Sequence, residues 1–237
     1  SFFSLIFVNC NNRVEVEESD GFLTQSVEDW EILFNGEDLS GWEILGDENA
    51  NYYVEDGVIV GETAMGIPNS FLATKKYYED FILEVEFKVD PILNSGVQIR
   101  SDVYEEETTT PYISGNLEER ERTWEPGRVN GYQIEIDPSD RAWSGGFYEE
   151  GGRGWLQPLN ENEEARNAFK QNEWNSFIIQ ADDNYFQVWL NGVKSTDYYD
   201  SKYCSGYIAL QLHSIGKDES KIGKKVMFRD IRIQEIP

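Results

Sequence analysis

Apolar and polar positions alternate along several short stretches of the chain. In Phe81–Val89 (FILEVEFKV), Phe81, Leu83, Val85, Phe87 and Val89 share one face, and Glu84, Glu86 and Lys88 take the other. A period of two with one wet face is the signature of a half-buried antiparallel strand. The same reading predicts strands over 96–100, 132–137, 175–181, 185–190, 207–213 and 226–233. Asp56-Gly57 inside Tyr52–Val60, and Asn191-Gly192 after Leu190, are two-residue hairpin signals. Only Glu163–Lys170 (EEARNAFK) has a helical pattern, with Ala165 and Phe169 on one side. Many short strands, one short helix and no internal repeat predict an all-β protein, a two-sheet antiparallel β-sandwich. The segment 101–129 does not fit this rhythm. It is long and polar, with Glu105-Glu106-Glu107, a Thr run and Glu118-Glu119-Arg120-Glu121-Arg122. Such a connection reads as a functional loop or as a solvated insertion.

Composition narrows the function classes. The 237 residues carry 45 acidic and 20 basic side chains, a net charge of −25. Phosphate backbones and anionic membrane surfaces are bound by basic patches, so nucleic acid is not an expected partner. Aromatics make up 14% of the chain, which argues for a sizeable aromatic core rather than disorder.

The first residues suggest export. Ser1–Val8 (SFFSLIFV) is apolar and runs into Asn9-Cys10, and Asn11–Gly21 is polar and acidic. A Cys directly after an apolar run resembles a bacterial lipoprotein signal, with Cys10 the lipidated residue. Asn9 departs from that pattern, which favours a small residue there. The expectation is a signal remnant and acidic tether over 1–26, one domain over 27–237, and an exported bacterial lipoprotein of the periplasm or outer membrane. Membrane contact would then come through the lipid anchor alone. The other cysteine, Cys204, reads as a small buried thiol, because two cysteines make neither a disulfide framework nor a cysteine-type zinc site.

Strand parity locates the candidate chemistry. Val97 and Ile99 oppose Gln98 and Arg100; Ile134 and Ile136 oppose Gln133, Glu135 and Asp137; Ile208, Leu210 and Leu212 oppose Ala209, Gln211 and His213. Any one polar face is ordinary for a half-solvated sheet. Three such faces rich in Gln, Glu, Asp, Arg and His suggest a site for a polyhydroxylated ligand. His213 is the one histidine of the sequence, which excludes a multi-histidine zinc site. A Ca²⁺ or Mn²⁺ site through Glu135, Asp137 and Asp140 stays open, although no cofactor is expected to be essential.

Several segments, in order, resemble the 3-keto-disaccharide hydrolase family. They include Leu33–Trp42 (LFNGEDLSGW), Val54–Ile59 (VEDGVI), Asn94–Arg100 (NSGVQIR), Tyr132–Ser139 (YQIEIDPS), Arg141–Gly146 (RAWSGG), Trp189–Gly192 (WLNG) and Ile208–His213 (IALQLH). The resemblance runs from about Trp30 to Ile236. It implies a concanavalin A-like jelly roll and cleavage of glycosides already oxidised to a ketone at sugar carbon 3. It also implies a sugar 3-oxidoreductase acting in the same pathway. A 3-ketone acidifies the carbon 2 proton, so a base can remove it and the glycosidic oxygen can leave by elimination, after which water adds. That chemistry needs a base and groups that stabilise the enolate oxygen. The expected catalytic set is Glu135 as base, raised toward neutrality by Asp137 beside it, Arg100 at the enolate, and His213 as donor to the leaving oxygen. Gln98, Gln133 and Gln211 are expected to bind substrate, and Trp143, Tyr148 and Trp155 to stack on sugar rings. Two alternatives remain: a carbohydrate-binding module without catalysis, and a laminarinase-type retaining glucanase. The latter is disfavoured by Glu135-Ile136-Asp137-Pro138-Ser139-Asp140, which lacks the third glutamate of such strands.

Overall fold

A computed structural model describes residues 30–237. The expected signal remnant, the tether over 1–26, Cys10 and the boundary at Val27 lie outside the described residues. Among the described residues the chain forms β1 (Glu31–Ile32), β2 (Trp42–Leu45), β3 (Asn51–Glu55), β4 (Val58–Glu62), β5 (Ser70–Thr74), β6 (Phe81–Val89), β7 (Ser95–Val103), β8 (Thr108–Ile113) and β9 (Glu119–Trp124). It continues with β10 (Val129–Ile136), β11 (Phe147–Glu150), β12 (Gly154–Gln157), α1 (Glu163–Arg166), β13 (Asn175–Asp182), β14 (Tyr185–Leu190), β15 (Val193–Tyr199), β16 (Tyr207–Leu212) and β17 (Lys225–Glu235).

These strands make two sheets, ordered β15-β14-β13-β6-β17-β4-β3, with β1 added on β17, and β2-β5-β16-β7-β10-β11-β12-β8-β9. All pairings are antiparallel except a single parallel contact between β12 and β8. The architecture is an all-β two-sheet sandwich, as the alternating pattern predicts, and takes the jelly-roll form that the resemblance implies. Phe81, Leu83, Val85 and Phe87 of β6, with Phe177, Ile179, Phe186, Val188 and Phe228, face Val97, Ile99, Tyr132, Ile134, Ile136, Ile208 and Leu210 across the sandwich. Each fully buried aliphatic or aromatic side chain of this kind contributes roughly 1.5–3 kcal/mol.

Three local expectations are corrected. The segment 101–129 is not an irregular connection: β7 runs on to Val103, and β8 and β9 form a hairpin that ends the nine-stranded sheet. Its charges hide the strand pattern because β9 is an edge strand exposed over Glu119–Thr123, where charge blocks edge-to-edge association. One face is nonetheless anchored, with Trp124 buried and its Nε1 donating to Thr110 Oγ1 at 2.9 Å. The helix is shorter than 163–170: it spans Glu163–Arg166, capped by Asn162, whose side chain accepts from the Ala165 N–H at 3.1 Å. Cys204 is only half-buried and is disulfide-bonded, not a buried thiol.

A β-bulge in β7 is the feature that most changes the site. Between Gln98 and Ser101, β7 spends one more residue than β16 and β10 opposite it. Arg100 takes φ 46° there, in the left-handed region. The register breaks and Arg100 turns from the polar face toward the core. The neighbouring backbone accommodates this at Gly206, where a Cβ would lie 2.4 Å from the Arg100 carbonyl carbon and the Ser101 nitrogen.

Candidate active site on the core-distal face of the nine-stranded sheet

Beyond the bulge, parity holds. Gln98, Gln133, Glu135 and Gln211 all lie on the face of the nine-stranded sheet that points away from the core. They belong to three adjacent strands, β7, β10 and β16. A cleft of about 170 Å³ opens there, lined by Asn94, Tyr112, Gly115, Gln133, Glu135, Arg141, Tyr148, Glu150, Trp155, Gln211 and His213. A larger cavity of about 510 Å³ lies on the other sheet, but its carboxylates Glu84, Glu86 and Asp230 are paired with Arg232 and Arg229. The smaller cleft carries the chemistry.

Glu135 is buried at the floor of this cleft. Its Oε1 accepts from Asn94 Nδ2 at 2.7 Å and its Oε2 from Gln133 Nε2 at 2.9 Å. Gly96, directly opposite Glu135 on β7, makes this possible: a Cβ there would sit 2.5 Å from the Gln133 side chain. Burial pushes the Glu135 carboxyl up from 4.5 to about 7. The two amide hydrogen bonds oppose the rise, Asp137 adds to it and Arg141 reduces it. The cause therefore differs from the one expected from sequence: desolvation leads, and the neighbouring Asp137 is a lesser contributor.

Asp137 does not face the ligand space. Its Oδ1 accepts from Ser139 Oγ at 2.6 Å and its Oδ2 from Arg141 Nε at 2.7 Å. It holds Arg141, whose guanidinium lies 4.7 Å from the Trp143 ring, 5.2 Å from Trp155 and 3.6 Å from Glu135 Oε1. Arg141 is thus the cation of the cleft, a role the sequence reading gave to Arg100. Arg100 is buried on the core side, where Nη2 pairs with Asp80 at 2.8 Å. Its other nitrogens donate to the carbonyls of Glu79, Asp183 and Tyr203. Its guanidinium also lies 5.0 Å from the Phe186 ring. Arg100 ties β7 to three connecting segments, before β6, between β13 and β14 and between β15 and β16, and does not line the cleft.

The remaining candidates divide. His213 lines the rim, with Nδ1 2.8 Å from the Ser214 carbonyl. A carbonyl only accepts, so Nδ1 carries the proton and the other nitrogen of neutral His213 is an acceptor. It can donate to a leaving oxygen only as the imidazolium. Gln211 lines the cleft with both amide atoms buried and without a partner. Gln98 is fully buried behind Gln133 and does not line the cleft. Tyr148 and Trp155 line it, their rings edge to face at 5.2 Å, whereas Trp143 packs beneath against Trp155 at 4.7 Å. Burial raises the Tyr148 hydroxyl, so it stays a neutral donor. Sequence reasoning missed Asn94, Tyr112, Arg141 and Glu150 as site residues. Asn94 and Arg141 stand inside the segments NSGVQIR and RAWSGG and were within reach; Tyr112 and Glu150 carry no such signal.

The carboxylates form no metal cage. Among the described residues no group of three His, Cys, Asp or Glu side chains is placed to hold a metal ion. Glu135 and Asp137 are engaged as above, and Asp140 is exposed.

The jelly roll is a fold that lectin domains use among others, and here one sheet face carries a buried carboxylate, amides and aromatic edges. The chain belongs to the family of 3-keto-alpha-glucoside-1,2-lyase-like domains, whose model matches residues 29–234. Its function is carbohydrate-related. No curated protein matches the chain. Among solved structures, a candidate glycosyl hydrolase from Parabacteroides distasonis ATCC 8503 is similar with TM-score 0.56 and 20% identity, over 89% of this chain and 95% of that one. The carbohydrate-binding module CBM66 from Bacillus subtilis is similar with TM-score 0.54 and 14% identity, over 82% and 96%. At these identities the likeness concerns the fold.

Proposed function

We propose that this domain cleaves the glycosidic bond of 3-keto-glycosides or 3-keto-disaccharides by elimination and hydration. The observation that carries this reading is Glu135: a buried carboxyl poised at about 7, facing an open cleft beside a fixed guanidinium. A general base works best with its proton affinity near the working pH. Glu135 takes the carbon 2 proton, and the electron pair moves to the carbon 3 oxygen. Arg141, always charged, and the neutral Tyr148 hydroxyl stabilise that enolate. The enolate pair then re-forms the ketone, the carbon 1–oxygen bond breaks, and the leaving oxygen takes a proton from solvent, imidazolium or protonated Glu135. Water adds to carbon 1 of the enone and carbon 2 is reprotonated, so the net change is hydrolysis. A sugar 3-oxidoreductase supplies the ketone. Export completes the proposal, supported by the apolar run that precedes Cys10.

Ordinary glycoside hydrolysis fits the geometry poorly, because it uses two carboxyl groups flanking one bond, roughly 5–9.5 Å apart. Asp137 is spent on Arg141 and Ser139. Glu150 is paired to Arg128. Binding without catalysis is the second reading, supported by the small cleft and the likeness to CBM66. The test is incubation in D₂O with 3-keto-trehalose, 3-keto-cellobiose and their unoxidised parents. The expected result is cleavage of the oxidised sugars alone, with deuterium at carbon 2 of the released keto sugar. Binding without product would favour the module. Cleavage of the parents without deuterium would overturn the mechanism.

A further inference from the structure

Glu135 is the end of a chain of buried side chains. Ser101 Oγ donates to Gln98 Oε1 at 2.6 Å, Gln98 Nε2 to Gln133 Oε1 at 3.0 Å, and Gln133 Nε2 to Glu135 Oε2 at 2.9 Å. We propose that Ser101 and Gln98 are positioning residues that fix the polarity of this chain, so that Gln133 presents its amino group, and never its carbonyl, to Glu135.

A primary amide fits such a chain in two orientations, related by exchange of its oxygen and nitrogen. With the carbonyl of Gln133 turned to Glu135, two acceptors would face each other in a buried space, which favours the protonated carboxyl. Gln98 prevents this by donating to the Gln133 oxygen. Gln98 has the same ambiguity, and the Ser101 hydroxyl, 2.6 Å from its oxygen and 3.3 Å from the Ile99 carbonyl, favours the orientation in which it donates to Gln98.

The bulge in β7 supplies that hydroxyl. In an unbroken strand, Gln98 would share its face with Arg100 and not with Ser101. The bulge turns Arg100 into the core and brings Ser101 Oγ onto Gln98. β10 makes room at Gly131, where a Cβ would come within 2.4 Å of Ser101 Oγ. Gln98 and Ser101 are fully buried and do not line the cleft, so they cannot act by touching substrate. The titratable and charged groups around Glu135 are Asp137 and Arg141 beside it, Tyr148 and Glu150 on β11, Tyr112 on β8 and His213 after β16. Substituting Gln98 or Ser101 alters none of them.

The experiment is a carboxyl ¹³C NMR titration of protein labelled at glutamate, with the Glu135 resonance identified by its loss in Glu135→Gln. Gln98→Met removes the donor to Gln133 without adding charge, and Ser101→Ala removes only the end of the chain. Gln98→Met removes a neutral amide bond to Gln133 and leaves the Gln133 donor to Glu135 in place but no longer held, so the Glu135 midpoint should move upward by a fraction of a pH unit, below the roughly one unit that loss of the charged bond itself would give. A smaller move in the same direction is expected in Ser101→Ala, which decides the matter if Gln98→Met does not fold. An unmoved or lowered midpoint in the folded variants overturns the proposal. The titration needs no substrate, so its outcome is separate from whether the domain acts on keto sugars. If it does, the acidic limb of kcat/KM moves with the midpoint.

Discussion

Replacing Glu135 by Gln should make the protein more stable at alkaline pH while abolishing its proposed chemistry. In the folded state the carboxyl binds its proton more tightly than in the unfolded chain, with a midpoint of about 7 against 4.5. Between those values the folded state holds more protons than the unfolded one. The contribution of Glu135 to stability therefore falls as pH rises from about 4.5 to 7 and is flat outside that window. At about 1.4 kcal/mol per unit, the loss amounts to about 3 kcal/mol. The amide that replaces the carboxyl cannot ionise, so the variant escapes this loss. That amide leaves one of the donors from Asn94 and Gln133 poorly matched, but the cost does not depend on pH and cancels when one pH is compared with another. The assay is urea unfolding of both proteins from pH 4.5 to pH 8.5, with equal m-values as the check on two-state behaviour. The variant should gain about 3 kcal/mol on the wild type across the series, or roughly 6–12 °C in Tm for a domain of this size. Stability curves that run parallel within about 0.5 kcal/mol, against the 3 kcal/mol expected for this change, would show that Glu135 titrates normally, and the choice of base would fall with them.

Other consequences are more direct. Arg141→Ala should lower kcat on a 3-keto-disaccharide by about 10²–10³-fold, the usual cost of one group at a developing oxyanion. Asp137→Asn should lose part of that through a loosened Arg141, measured in the same assay. Arg100→Met should destabilise the fold by about 3–5 kcal/mol in chemical denaturation, because it breaks the buried pair with Asp80 and removes the donors to the carbonyls of Glu79, Asp183 and Tyr203. The folded Arg100→Met fraction should keep near-normal KM, and a rise of tenfold or more would return Arg100 to the site. Exhaustive chelation should leave turnover intact, and loss restored by Ca²⁺ or Mn²⁺ would assign the carboxylates a ligand role.

The sandwich was readable because its core strands alternate strictly: β6 and β14 coincide with the predicted runs 81–89 and 185–190. The hairpin β8–β9 was not, since an edge strand that must resist association carries charge at nearly every position and loses its period. For the site, parity placed Gln133, Glu135 and Gln211 on one face but misplaced Arg100. Alternation carries only as far as the register does, and the bulge after Gln98 ends it. Nothing in GVQIRSDV announces that bulge except the glycines that receive it, Gly131 and Gly206, which lie far along the chain. The cleft's true guanidinium sits in a turn, where strand periodicity says nothing about direction.

The face that defeats local rules is also the one with chemical capacity. A sheet selected for stability alone would not bury Glu135 until its carboxyl rises to about 7, leave both amide atoms of Gln211 without partners, or place a glycine opposite the carboxylate. Each costs free energy in the empty protein, and all three fall on β7, β10 and β16. Both amide atoms are buried, so a ligand that donates to the Gln211 oxygen and accepts from its nitrogen recovers that cost only where Gln211 turns toward it. One that lacks either group leaves the buried amide half-satisfied and is rejected more strongly than loss of contact area alone would predict. A ring carrying a carbonyl next to a hydroxyl presents that acceptor and donor side by side. Selectivity for an oxidised sugar would then arise on two strands at once: Gln211 on β16 reads the polar pair, and Glu135 on β10 reacts only where a neighbouring ketone has made a carbon acid.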